Sequence, residues 1–182
     1  MVVSMKIAIT GHSAGIGQAL AKIYTEQGHD IVGLSRRTGY NIRSIPKVAT
    51  MIEPCDVFIN NAQVGFAQVE LLYEVWRLWR GLPKHIMVVS TLMTSMQTSP
   101  KDEWDEYWLQ KRTLEEGCDQ LRSKTKFPYI TLIKPGTVAT QPDQQTPPYA
   151  DVTEWAETLI KCFDIASPNL RISEIAVGPN YG

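Results

Sequence analysis

The chain has 182 residues, 43% of them apolar and 20% charged, and its 18 basic and 19 acidic side chains leave a formal charge of −1. That is enough for one sizeable core, so a single domain over residues 1–182 is expected and long disorder is not. The even charge balance excludes the basic footprint of a nucleic-acid binder and a polybasic membrane anchor, so any anionic ligand must be held locally.

Cys55, Cys118 and Cys162 are far apart and form no C-x-x-C pattern, which suggests buried small side chains rather than a disulfide framework or a zinc site. His12, His29 and His85 are equally isolated, and no metal site is expected. The N-terminus is apolar for only a few residues before Lys6, and no apolar run reaches transmembrane length. The expectation is a soluble, cytoplasmic protein with no membrane partner.

Residues 6–10 read as a buried parallel strand, which breaks into the closely spaced Gly11, Gly15 and Gly17 and then into a helix over residues 16–27, stopped by Gly28. Backbone in such a turn comes close to a pyrophosphate, and the free N–H groups at the helix start hold its charge. Residues 30–34 complete a βαβ unit, with Ser35-Arg36-Arg37 at its exit. Dinucleotide folds that prefer NAD carry an acid there, and an Arg instead accommodates the 2′-phosphate of NADP. No carboxylate follows before Glu53, so the spacing predicts NADP(H).

A short extended piece, Tyr40-Asn41-Ile42, in which Asn41 faces adenine, and a short helix over residues 44–51 fill the gap to the next strand. That strand, residues 56–62, ends in a polar turn. Residues 71–79 are helical, with an apolar surface too broad for one core face, which points to a second subunit. Residues 86–89 form a strand with Ser90-Thr91 at its exit, and residues 94–99 a polar loop. Ser99-Pro100-Lys101-Asp102 carries a helix-start signature for a helix running to about Arg122. A strand over residues 129–133, a lid-like loop over 141–150, a helix from 152 or 153 to 163 and a strand over 174–178 complete the chain. Strands alternating with helices imply a three-layer, Rossmann-type, doubly wound parallel sheet with helices on both faces.

Polar residues collect just after the strands. Taken together, Thr10-Gly11-x3-Gly15-x-Gly17, Asn60-Asn61-Ala62, Ser90-Thr91, Tyr107-x3-Lys111 and Pro135-Gly136-Thr137 resemble the short-chain dehydrogenase/reductase family in order and over almost the whole chain. The resemblance implies a hydride-transferring oxidoreductase acting on a small carbonyl or alcohol, assembled as a homodimer or homotetramer. Four residues apart on a helix, Tyr107 and Lys111 share a face, and an ammonium near a phenol favours the phenolate. By the resemblance Tyr107 is the acid/base and Lys111 its electrostatic partner, which also binds the nicotinamide ribose. Thr91 polarises the substrate carbonyl, with Ser90 the close alternative and Ser95 a more distant one.

Cofactor contacts are expected from Gly11, Ser13, Gly15, Ile16 and Gly17 to the pyrophosphate and from Ser35, Arg36 and Arg37 to the 2′-phosphate. Asn41 and Ile42 would approach the adenine, Asn61 and Ala62 the ribose, and Pro135, Gly136, Val138 and Thr140 the carboxamide. Three departures stand out. The helix over residues 71–79 lacks the family's active-site Asn, so its proton relay is absent or rebuilt by water; Gln63 replaces a glycine; and the chain is short after Arg37 and after Thr140. These motivate a second reading, a non-catalytic NADP-binding sensor or scaffold. A nucleotide-sugar epimerase or dehydratase, which uses the same residues, is a third.

Overall fold

Ile7, Ala8, Ile9 and Thr10 have no exposed surface, as a run of apolar and β-branched residues requires when it is a central strand covered on both faces. In the computed structural model, which describes residues 4–144, 148–164 and 170–180, this strand is β1 (Lys6–Thr10), followed by β2 (Asp30–Leu34), β3 (Val57–Asn60), β4 (His85–Val89), β5 (Tyr129–Pro135) and β6 (Glu174–Val177). They form one six-stranded sheet in the order β2-β1-β3-β4-β5-β6, with every adjacent pair parallel. The order reverses at β1, so the C-terminal ends of β1 and β3 flank the crevice where open α/β sheets take ligands.

The helices are α1 (Gly15–Glu26), α2 (Ile45–Ile52), α3 (Ala67–Trp79), α4 (Asp105–Lys124) and α5 (Val152–Asp164). Successive side chains of a strand point to opposite faces, and the core divides accordingly. Ile7, Ile9, Ile59, Val89 and Ile133 pack with α1 and α5; Ala8, Phe58, Ile86, Val88 and Leu132 pack with α2, α3 and α4. The doubly wound architecture is as the sequence implies. Among the described residues no helix is long and apolar enough to cross a membrane.

The apolar breadth of α3 has an intramolecular cause. This helix packs against both α2 and α4, and Leu71, Leu72, Val75 and Trp79 are fully buried within the chain. The middle of three helices on one sheet face needs apolar side chains toward the sheet and toward both neighbours, so the stripe does not call for a second subunit. Truncating Trp79 to Ala would cost about 3–5 kcal/mol.

Three local expectations differ. α3 begins at Ala67, four residues before the expected start. No strand forms at residues 40–42; Ile42 and Arg43 lie in a turn closed by Ser44 N–H on Asn41 O at 2.9 Å. Ser99 does not cap α4: its hydroxyl donates to Lys101 O at 2.7 Å in a local turn, the 3-10 turn Asp102–Trp104 intervenes, and α4 starts at Asp105. The signature was sound chemically, but its hydroxyl was satisfied locally. Of the loop at residues 141–150, residues 145–147 lie outside those described; Gln144 Oε1 accepts from the N–H groups of Thr140 and Gln141 at 3.0 and 3.1 Å.

Candidate active site

The glycine turn is laced to the exits of both neighbouring strands. Gly11 N–H donates to Leu34 O at 2.8 Å. The Thr10 hydroxyl accepts from Asn61 and Ala62 N–H at 3.0 and 3.1 Å, and the Asn61 carboxamide donates to Thr10 O at 3.0 Å. Asn61 is thus a brace between β1 and β3 as well as a wall of the crevice. Gly11 and Gly15 have φ of 70° and 53°, which favours glycine. A Cβ on Gly17 would stand 2.4 Å from Gly11 O, so α1 can start this close to the turn only because that residue has no side chain.

The start of α1 is open: Ala14 at the N-cap offers no side-chain hydrogen bond and the first turn contains no acid. Its free N–H groups, at Gly15, Ile16 and Gly17 beside Ser13, carry the positive end of the helix dipole. Thr140 lies against Gly15, whose added Cβ would be 3.2 Å from the Thr140 side chain. The ring of His12 covers Gly33 of β2, where a Cβ would be 2.4 Å from His12 Cδ2; nothing in the local sequence announces that Gly33 exists for this contact.

At the exit of β2, Ser35 is buried and its N–H donates to Thr38 Oγ1 at 3.0 Å in a reciprocal cap of the 3-10 turn Arg36–Thr38. Ser35 therefore shapes the turn that presents the arginines. Arg36 is exposed and its guanidinium has no hydrogen bond or ion pair among the described residues, while Arg37 donates to Ser13 O at 3.4 Å, back across the glycine turn. Asn41 is exposed, with its Oδ1 accepting from Arg43 N–H at 3.0 Å. Ile42 departs from expectation: it is 5% exposed and belongs to the core on the α2 side, so its side chain is not available to adenine.

Tyr107, Thr91 and Lys111 come together. Tyr107 is 36% exposed, and the Thr91 side chain stands close enough to its phenol to favour loss of the phenol proton. Thr91 is the N-cap of the 3-10 turn Leu92–Ser95 and accepts from Met93 N–H at 3.3 Å. Lys111 is 3% exposed, and its Nζ lies 5.6 Å from the Tyr107 ring centroid. Burial pushes the lysine down to about 7, opposed by the negative charge of Glu115. Burial also raises the Tyr107 phenol above its usual value, opposed by Thr91. Lys111 therefore does not bring the phenol down as expected: desolvation dominates at both groups.

A glutamine of α3 meets the lysine. Gln68, in the first turn of α3 and 2% exposed, accepts from Lys111 Nζ on its Oε1 at 2.9 Å and donates from Nε2 to Asn60 O and Val89 O at 2.8 and 3.0 Å. Lys111 also donates to Val89 O at 2.9 Å. The lysine is held directly by the Gln68 side chain. Asn60 Nδ2 donates to Gln68 O at 3.0 Å and locks the start of α3 to β3.

Ser90 and Thr91 separate by environment. Ser90 is 4% exposed, and its hydroxyl donates to Glu115 Oε1 at 2.5 Å, whereas Thr91 faces Tyr107. Ser95 is exposed, at the end of the 3-10 turn. Gln63 donates to Gln110, whose Nε2 donates to Glu106 Oε1 at 2.8 Å, so the residue in the glycine position ties the β3 exit to α4 one residue from Lys111. Pro135 ends β5. Gly136 N–H donates to Val177 O at 2.8 Å, and a Cβ there would meet Gly178 Cα at 2.8 Å. Val138 is buried on the α1 and α5 side.

No protein-family model matches the chain, and no curated protein matches it by sequence. Its structure is similar to a short-chain dehydrogenase/reductase from Vibrio parahaemolyticus with a TM-score of 0.77 and 17% identity, covering 96% of this chain and 99% of that one. A short chain dehydrogenase from Burkholderia cenocepacia J2315 in complex with NADP matches with a TM-score of 0.75 and 13% identity, over 96% and 88% of the two chains. The NADPH-dependent 3-quinuclidinone reductase from Rhodotorula rubra gives 0.74 and 17%, over 96% and 91%. The chain has the short-chain dehydrogenase/reductase fold. At these identities the short-chain dehydrogenase/reductase architecture is what is shared, and activity has to be argued from Tyr107, Lys111 and Thr91 themselves.

Proposed function

We propose that the chain is an NADP(H)-dependent oxidoreductase that reduces a small carbonyl compound to the alcohol. The observation that carries the reading is the convergence of Thr91, the Tyr107 phenol and Lys111, whose Nζ lies 5.6 Å from the phenol ring centroid. The residues present fit the cofactor: the turn where a Gly17 Cβ would strike Gly11 O is a cradle for a pyrophosphate, the uncapped start of α1 supplies N–H donors, and Arg36 offers an unpaired guanidinium to a 2′-phosphate. Solved neighbours of the same fold bind NADP or depend on NADPH, which supports the choice of cofactor.

When bound, NADPH supplies the hydride. The protein does the rest. Thr91 orients the substrate carbonyl oxygen toward Tyr107, and the phenol, kept protonated by burial, gives that oxygen its proton as the carbonyl carbon is reduced. The phenolate left behind faces the Lys111 ammonium, which lowers the cost of the negative charge. Tyr107, partly exposed, then recovers a proton from solvent.

The test replaces Tyr107 by Phe and follows NADPH oxidation over a panel of small aldehydes and ketones. The reading predicts turnover by the native chain on at least one of them and a loss of roughly 10²-fold or more in the variant. Equal rates for the two proteins would refute the role of Tyr107.

A further inference from the structure

Glu115 is an acid where the apolar pattern of α4 calls for a core residue. It follows Lys111 by four residues and Tyr107 by eight, so all three lie along one side of the helix, and it is 7% exposed. An uncompensated carboxylate at such a site would be costly, and this one is fully engaged. Oε1 accepts from Ser90 Oγ at 2.5 Å and from Thr94 Oγ1 at 2.6 Å; Oε2 accepts from Lys134 Nζ at 3.1 Å. Lys134 is itself paired with Glu174 of β6 at 3.6 Å.

Two features tie this carboxylate to the site. First, Ser90 and Thr94 bracket Thr91 in the chain, and the Thr94 hydroxyl also lies 2.7 Å from Thr91 O. The segment carrying the Thr91 hydroxyl is therefore pinned from both ends to one side chain of the helix that carries Tyr107. Second, the groups facing Lys111 are Gln68 from α3, Val89 O from β4, and Tyr107 and Glu115 from its own helix, and Glu115 is the one charged group whose influence on Lys111 is resolved. The neutral contacts position the ammonium; the carboxylate opposes its loss of charge on burial.

We propose that Glu115 is a positioning residue of the Tyr107–Lys111 site, clamping Thr91 against Tyr107 through Ser90 and Thr94 and setting a negative charge one helical turn from Lys111. The clamp rests on the oxidoreductase reading, whereas the effect of the Glu115 charge on Lys111 is tested apart from it. The direct readout is the ionisation of Lys111, followed by NMR of the side-chain carbon next to nitrogen in lysine-labelled protein, with Lys111→Met assigning the signal.

Glu115→Gln keeps the volume and removes the charge. It is expected to move the Lys111 titration to lower pH by roughly one unit, the scale of a nearby opposite charge, and Glu115→Asp to leave it within a few tenths of the native value. Thr94→Val, which keeps the charge and cuts one arm of the clamp, should lower kcat for carbonyl reduction several-fold with the lysine titration unmoved. A Lys111 titration identical in native protein and Glu115→Gln would overturn the electrostatic half, and native kcat in Thr94→Val the clamping half. If the native chain turns over nothing on the panel, the oxidoreductase reading and the clamp fall together, while the shift in Lys111 still stands or falls by itself.

Discussion

Lys111 Nζ donates to Gln68 Oε1 at 2.9 Å, a buried contact between α4 and α3 across 43 residues of chain. Gln68 also closes hydrogen bonds to Asn60 O and Val89 O, so it joins the exits of β3 and β4 to the lysine. Replacing it with Leu keeps the volume, takes a donor from Asn60 O and from Val89 O, and leaves the buried ammonium with Val89 O but without its carboxamide acceptor. The expected result is a loss of about 2–4 kcal/mol in stability, from unsatisfied buried groups, together with a fall in kcat that exceeds any change in NADPH affinity. Denaturant unfolding and steady-state kinetics check it; a variant as stable and as active as the native chain would remove Gln68 from the account.

Thr91 and Ser90 differ in what their hydroxyls face, and their variants should differ in kind. Thr91→Val takes away the group beside Tyr107 and is expected to lower kcat roughly 10²-fold, the scale for one catalytic hydrogen-bond donor. Ser90→Ala leaves Glu115 one donor short and is expected to cost about 1–2 kcal/mol of stability with a smaller kinetic effect. Parallel melting curves and rates decide the point, and a larger kinetic loss for Ser90→Ala would exchange the two roles.

Arg36 has a free guanidinium and Arg37 bonds back to the glycine turn. Arg36→Ala should weaken NADPH binding about tenfold to a hundredfold, the worth of a lost charge-assisted contact, and leave NADH binding unchanged. Arg37→Ala should affect both cofactors alike, because it loosens the turn they share. Fluorescence titrations of both variants with both cofactors measure this; equal losses for NADPH and NADH in Arg36→Ala would mean that residue does not read the 2′-phosphate.

His85, far from the site, sets an acid limit on stability. Its ring nitrogen lies 2.8 Å from Thr131 Oγ1, and burial, aided by the positive charge of Arg171, pushes it from 6.5 down to about 4. Between those values the unfolded chain binds a proton that the folded chain does not, so this contribution is complete above pH 6.5 and is lost as pH falls toward 4. It amounts to at most about 3 kcal/mol. Unfolding free energies at pH 7, 5 and 4 should fall more steeply for the native chain than for His85→Gln; equal slopes would contradict the assignment.

The sequence carried the parts of this fold that are local. A buried strand, three glycines and a helix within twelve residues are dictated by sterics and periodicity, and the Tyr107/Lys111 spacing needs only the helix. What was not legible depends on packing between distant segments. Gln68 lay in a stretch to which no element was assigned, because the apolar period of α3 starts at Leu71, after the residue that matters. Glu115 was legible in principle, as an acid on the buried side of α4 in phase with Tyr107 and Lys111, but its partners Ser90, Thr94 and Lys134 come from other elements. Ile42 was assigned to the crevice because an extended piece would have turned it there; the observed turn sends it to the core. The breadth of α3 was read as an interface because sequence cannot show that α2 and α4 flank it.

The central claim, hydride transfer assisted by Tyr107, is tested most directly by following a label. NADPH deuterated at the transferable C4 position is mixed with the native chain and a carbonyl substrate from the panel, and the alcohol is analysed by mass spectrometry. The account predicts one deuterium on the new carbinol carbon in the native reaction and little labelled alcohol with Tyr107→Phe. Tight NADPH binding with no labelled alcohol from any compound of the panel would contradict it and leave a dinucleotide-binding protein without turnover.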